Sequence, residues 1–390
     1  MKQKLFLHVV LLFSFLFFLS STFVKAETDT STITNIPAEV FYKAKVTAIL
    51  EEGSVTAYGF TNPYQKVKIM FLDGDMAGKE MIINHGKEFT LDKNQLVNSG
   101  DLVVILKSSD ANNQPTFQIT DKYRLNQILP IILFFFLAVI LLSKWQGFGS
   151  ILGMVVSLGI IIKYIIPQIL AGGDPLFISI VGCLMIMVTT IYLAHGLSKK
   201  TTIALLATFL TLLATGLFSI LFVQMARLSG LGSEDAYSLK LGTTATINLK
   251  GLLLGGILIG TLGVLDDVTT GLAASIFELA KVNSNLKFTE LFQSGLAIGR
   301  EHIASLVNTL VLAYAGASLP IFLTLILNPN HYPLWLILND ELIMEEVVRT
   351  LAGSLGLVLA VPLTTFLAAF YLSKLSTSSK SHGPVKNKAN

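Results

Sequence analysis

The sequence predicts a mainly α protein: a polytopic membrane helix bundle of about seven spans, preceded by a small exported β-barrel-like domain of SH3- or OB-like type. Three observations carry that prediction. The 390-residue chain is 52% hydrophobic and only 14% charged, against about 25% charged in ordinary soluble domains. Its N-terminus runs basic, then apolar, then small and polar, as an export signal does. Between residues 40 and 120 the hydrophobic period is two, and after Arg124 it gives way to long apolar runs.

Composition also excludes some chemistry. A net charge of +3 with scattered basic residues does not make a nucleic-acid surface. The single cysteine, Cys183, cannot form an internal disulfide, and no Cys/His cluster has zinc-site spacing. No cofactor and no metal are expected.

The elements follow in order. Met1-Lys2-Gln3-Lys4, the apolar run from Leu5 and the end Val24-Lys25-Ala26 read as a signal peptide over 1–26; the alternative is an uncleaved anchor helix. Residues 27–124 then form an extracytoplasmic β-rich domain. Val40, Tyr42, Ala44, Val46 and Ala48 alternate with Phe41, Lys43, Lys45 and Thr47, and Lys66–Leu72, Lys79–Asn84, Leu102–Lys107 and Pro115–Thr120 read as further strands. Asn62-Pro63, Asp73-Gly74-Asp75, Asn84-His85-Gly86, Ser99-Gly100-Asp101 and Asp110–Asn113 supply turn chemistry. His85 is read as a turn residue, with a ligand role as the alternative.

The domain 125–373 holds expected spans at about 126–143, 150–170, 176–197, 202–224, 249–265, 303–327 and 350–372. Residues 374–390 form a basic cytoplasmic tail. With the β domain outside, ten basic residues fall in inner segments (Lys144, Lys199, Lys200, Lys281, Lys287, Arg300 and the tail lysines) and two, Arg227 and Lys240, in outer loops. That asymmetry puts the C-terminus in the cytoplasm, which needs an odd number of spans. Parity makes Val268–Ala280 an amphipathic helix lying at, or dipping into, the inner face.

Polar residues inside the apolar runs are the candidate functional positions. Lys163 either snorkels to the interface or pairs with a carboxylate. Gly251, Gly255, Gly256 and Gly260 have the four-residue spacing of close helix packing. Asp266 and Asp267 follow directly; they either cap the next helix or form a functional carboxylate pair. Glu301, Ser305 and Asn308 share a helical side and carry polarity into the sixth span, next to Arg300. Asp266, Glu278, Arg300, Glu301 and Asn308 are expected to converge near the inner mouth. Glu345, Glu346 and Arg349 open the last span, and Pro362 is expected to kink it.

The runs Leu262-Gly263-Val264-Leu265-Asp266-Asp267, Ser294-Gly295-Leu296-Ala297-Ile298-Gly299-Arg300-Glu301-His302 and Asn308–Tyr314 resemble the YibE/F-like membrane proteins. Glu278, Glu341, Arg349, Gly353-Ser354 and Pro362 fit the same pattern. The resemblance covers about residues 40–370 and is to the longer member of a pair, which implies a shorter YibE/F-like membrane partner or self-association. Where this chain has Asp267, the family more often has a small apolar residue, which makes Asp266 the stronger candidate. The resemblance implies architecture and positions, and no biochemical activity.

Three functions stay open at this stage. Glycine-interrupted helices with carboxylates suit a permease or transporter component acting on a small solute or ion. The exported β domain suits an envelope sensor or scaffold. A membrane enzyme acting on lipid-linked substrates would use the two aspartates, but no phosphate loop, HExxH or GxSxG motif accompanies them, and the expectation is that the chain is not an enzyme.

Overall fold

The computed structural model describes residues 40–57, 60–86, 91–109, 114–242, 247–327 and 333–381. The signal segment, the Asp110–Asn113 turn and the last nine residues of the expected tail lie outside them. The rest forms two compact units that divide between Ala138 and Val139.

The first unit is an antiparallel sheet of five strands in the order β3-β2-β1-β4-β5. β1 is Val40–Ala57, β2 Phe60–Phe71, β3 Glu80–His85, β4 Leu102–Ser109 and β5 Pro115–Lys122. Alternation places Tyr42, Ala44, Val46, Val67, Ile69, Ile83, Val103 and Ile105 in one apolar core. Phe71 sits edge-on to both Tyr42 and Phe117 within it. The two end strands, β3 and β5, touch each other. Two readings need correction. Asn62-Pro63 is not a turn, since Pro63 lies inside β2 opposite Ser54. β3 pairs with β2 only from Gln65 onward, so no ladder bond is lost at the proline. His85 is the last residue of β3, 3% exposed, and not an exposed turn residue.

The second unit is helical, and its first helix starts before the boundary at Val139 and continues into this unit. α1 is Leu125–Ile160, a π-helical turn covers Ile161–Ile165, and α2 is Ile166–Leu170. α3 spans Pro175–His195, α4 Lys199–Met225 and α5 Glu234–Gly242. α6 spans Leu249–Val282, α7 Phe288–Ala317, α8 Leu319–Ile326, α9 Leu334–Leu338 and α10 Glu341–Ser381. Among the described residues, five helical stretches are long and apolar enough to cross a membrane: Leu125–Leu170, Pro175–His195, Lys199–Met225, Leu249–Val282 and Glu341–Lys374. The first of these breaks at Lys144 (φ 52°, ψ −129°), where the sequence reading has an inner loop. The segment 303–327 is divided between α7 and α8 at Ser318.

α6 is the centre of the unit, packed against α3, α4, α7 and α10. It is one continuous helix of 34 residues, about 51 Å at 1.5 Å per residue. The expected division into a span at 249–265 and a separate amphipathic helix over Val268–Ala280 is therefore wrong. No glycine–proline punctuation separates the two parts. Thr270 returns its hydroxyl to the Asp266 carbonyl at 2.8 Å, so the backbone there is satisfied as helix. The helix cap is Asn248, whose side chain accepts from Gly251 N at 3.0 Å.

Packing around α6 uses small and hydroxylated residues, as helices in lipid do. A Cβ on Gly295 would lie 2.6 Å from Thr365 Cγ2, and one on Gly299 2.2 Å from Val361 Cγ1, so α7 lies hard against α10. Along α4, Thr208, Thr211, Thr215 and Ser219 are fully buried. Thr208 and Thr269 of α6 share a hydrogen bond at 2.6 Å.

Candidate functional site

Two polar places lie along α6, one at each end of its glycine-rich part. The first is Asp266. Three apolar turns precede it, and α6 carries it into contact with α3, where the Thr190 hydroxyl lies within hydrogen-bonding reach. That hydroxyl also meets the Ile186 carbonyl at 2.9 Å, so its single proton is contested. Asp266 is half-buried, and its Oδ1 is fully enclosed with no hydrogen-bond partner among the described residues. Asp267, one residue on, is exposed and within electrostatic range of His195 at the end of α3. Both aspartates are in mid-helix, so neither caps a helix.

The expected convergence on Asp266 does not form. Glu278 is twelve residues further along the same unbroken helix, ~18 Å away, and pairs with Lys281 at 2.6 Å. Arg300, Glu301 and Asn308 are all exposed on α7, and among the described residues neither Arg300 nor Glu301 joins an ion pair. The polar stripe of α7 is real as a stripe but turns outward, because the face that packs on α6 and α10 is the one with Gly295 and Gly299. Lys163 sits in the π-helical turn and is half-buried.

The second place is a cavity of about 300 Å³. Its walls are aliphatic, from Ile161 and Ile165 of the π-helical turn to Leu252 and Ile259 of α6. A π-helical turn is itself a common mark of a functional site. Gly256 opens the wall on the α6 side, and a Cβ there would lie 3.8 Å from Arg349 Nη1. Glu345 and Arg349 enter from α10. Glu345 is 6% exposed and its Oε1 accepts from Gly232 N at 3.0 Å. One turn earlier Glu341 Oε1 accepts from Ser229 N at 2.6 Å and Gly230 N at 3.1 Å. The two carboxylates thus pin the loop after α4 over the start of α10. Arg349 Nη2 lies 3.4 Å from Glu346 Oε1, and its Nε is buried with no hydrogen-bond partner among the described residues.

The four glycines divide between two tasks. Gly251 and Gly255 meet α3: a Cβ on Gly255 would lie 2.3 Å from Ser179 Oγ. Gly256 and Gly260 face the other way, toward Arg349 and the Tyr314 hydroxyl, the latter 3.2 Å from a Cβ built on Gly260. Gly256 is therefore a cavity wall and not a close helix contact. Sequence reasoning noticed Glu345 and Arg349 only as the start of a span; their spacing of four residues, which puts both on one helical face, was the available signal. Among the described residues, no group of three or more His, Cys, Asp or Glu side chains could hold a metal ion.

The first unit has a smaller cavity, of about 160 Å³, lined by His85, Gln95, Val97, Asp121 and Arg124 among others. His85 Nε2 is 3.2 Å from the Gln95 carbonyl. Burial holds the imidazole below its ordinary pKa, and the nearby Lys122 adds to the effect.

A family model described as YibE/F-like protein matches residues 131–374, which include α2 to α9 whole and most of α1 and α10. Comparison with curated proteins and with solved structures returns no match.

Proposed function

This chain belongs to the YibE/F-like protein family, and we propose that it works as a multi-pass permease or transporter component with Asp266 on its conduction path. One observation carries the reading: a carboxylate oxygen enclosed without a partner in a helix long and apolar enough to span. A charged group in mid-membrane costs at least about 2.5–3.5 kcal/mol, and nothing in the helix end chemistry requires this one. Proton binding to Asp266 removes that cost and changes what Thr190 can donate to, which couples protonation to the α3–α6 contact.

The proposal includes a topology. The break at Lys144 divides Leu125–Leu170 into two spans, and α7 with α8 supplies another, giving an odd number. Residues 1–26 direct residues 27–124 out of the cell as a signal, and the basic tail stays in the cytoplasm. The contact between β3 and β5 supports closure of the exported sheet into a small barrel. None of the most apolar window of Leu125–Leu170 is buried, which favours a second membrane chain, either the shorter family member or another copy, against it. A sensor role for the exported domain is the second reading, and the cavity beside His85 and Arg124 favours it.

Counterflow in proteoliposomes holding the full chain, alone and with its shorter relative, tests the permease reading. Trapped unlabelled solute should drive uptake of labelled solute and move protons with it. Vesicles that behave as protein-free controls across amino acids, peptides, sugars and carboxylates would refute it.

A further inference from the structure

We infer that the cavity between α6, α10 and the π-helical turn binds a small zwitterion with a branched aliphatic body, an α-amino acid of the leucine type. Glu345 and Arg349 are four residues apart on one helix, a spacing at which opposite charges ordinarily pair. Here they do not: among the described residues the ion pair of Arg349 is with Glu346. Glu345 is turned instead to Gly232, and only its Oε1 is engaged there.

Both residues line the cavity, and each keeps hydrogen-bonding capacity that the described residues do not use. Glu345 Oε2 makes no hydrogen bond to the described residues. Arg349 pairs with Glu346 through Nη2, and its Nη1 lies 3.8 Å from a Cβ built on Gly256 at the cavity wall. An N–H of that nitrogen can donate a charge-assisted hydrogen bond to a carboxylate. A carboxylate beside it takes an ammonium. The two are close enough to feel each other electrostatically, so a ligand whose ammonium and carboxylate are on one carbon satisfies both. An anion alone leaves Glu345 facing it, and a cation alone leaves Arg349 facing it.

The rest of the cavity selects the body of the ligand. Ile161, Ile165, Ile169, Leu252 and Ile259 line it, and these are branched aliphatic walls that favour an aliphatic side chain. At about 300 Å³ the space is at the small end of ligand pockets, suited to one amino acid. A methyl fits at Gly256, 3.8 Å from Arg349 Nη1, whereas a larger side chain there grows into the cavity toward Arg349.

This inference supplies a substrate class for the permease reading and rests on that reading only for movement; binding is tested separately. The full chain in lipid nanodiscs is titrated with L-leucine, 3-methylbutylamine, 4-methylpentanoate and glycine, with melting temperature as the fold control. Leucine should bind, and the amine, the acid and glycine should each bind at least about tenfold more weakly, having lost one charged contact or the apolar one. Glu345→Gln keeps an oxygen for Gly232 N–H, and Glu345→Gln and Arg349→Gln should each weaken leucine at least about tenfold while melting with the parent. Gly256→Val should abolish binding. No leucine binding by a cooperatively melting parent overturns the inference. So does equal binding of the amine or the acid, or parent-like affinity in both glutamine variants. Leucine binding without counterflow of any solute refutes the permease reading alone; counterflow of other solutes without leucine binding refutes this site alone.

Discussion

Adjacent glycines on α6 face different surroundings, and a pair of single-methyl substitutions isolates that difference. A Cβ on Gly255 would lie 2.3 Å from Ser179 Oγ, 3.0 Å from Ser179 Cβ and 3.3 Å from the Pro175 carbonyl oxygen. Rotating the serine hydroxyl removes the first contact only. The second and third belong to the body of α3, so α3 must move, and overpacking of this kind costs about 1–3 kcal/mol. A Cβ on Gly256 meets nothing nearer than Arg349 Nη1 at 3.8 Å. Both substitutions gain the same helix propensity, about 1 kcal/mol from Gly to Ala. That gain cancels in the comparison, so Gly255→Ala should be less stable than Gly256→Ala by about 1–3 kcal/mol. For a unit of this size each kcal/mol shifts the melting temperature by roughly 2–4 °C. Thermal melting of the two purified variants, followed by tryptophan fluorescence, should place Gly256→Ala at or above the parent and Gly255→Ala below it. Melting of Gly255→Ala at or above Gly256→Ala would refute the assignment of these two faces.

Thr269→Val removes the buried hydroxyl pair with Thr208 and should cost about 0.6 kcal/mol, the average for such bonds in membrane bundles; chemical denaturation against the parent measures it. His85 has a folded pKa below its ordinary value, so the unfolded chain binds the proton more readily. The β unit should therefore lose stability as pH falls through 6.5 toward the lower folded value, and keep it above. Hydrogen exchange of the β2 and β3 amides, corrected for intrinsic rates, reads this; His85→Gln should flatten the slope, and an unchanged slope would assign it to another group. Asp75 is held below the usual carboxylate range by the Tyr42 hydroxyl at 2.6 Å, so Tyr42→Phe should shift acid unfolding of the same amides to higher pH. Cysteines placed at Ser109 and Ser379 in intact cells should react with an impermeant reagent at the first position only; reaction at both would refute the odd number of spans.

Local pattern made the β unit readable. Alternation of Tyr42, Ala44 and Val46 with Lys43 and Lys45 located β1 and its buried face, because a strand's side-chain period is fixed at two. The long apolar runs likewise reported helices. What escaped was continuity and facing. Asp266-Asp267 looked like the end of a helix because hydropathy drops there, yet Thr269, Leu272, Ala273 and Ile276 are buried and tertiary packing carries the helix on to Val282. The stripe of Glu301, Ser305 and Asn308 was legible as a stripe, since periodicity tells which residues share a side. Which side turns inward was set by Gly295 and Gly299 against α10, contacts that sequence spacing does not display. Glu345 was hidden for a different reason. Its burial comes from the Ser229–Gly232 loop, more than 110 positions away in the chain, so the four-residue spacing to Arg349 marked a shared helical face but not the burial.

If Asp266 carries the proton, Asp266→Asn stops proton movement and leaves the fold intact. Asparagine keeps the size of the side chain and can still accept from Thr190, so the variant should express and melt as the parent does. It cannot ionise. In proteoliposomes with an internal pH dye, the parent should acidify the lumen when solute is added outside. Asp266→Asn should abolish that signal while solute binding persists. Proton movement at the parent's rate in a folded Asp266→Asn protein would contradict the claim.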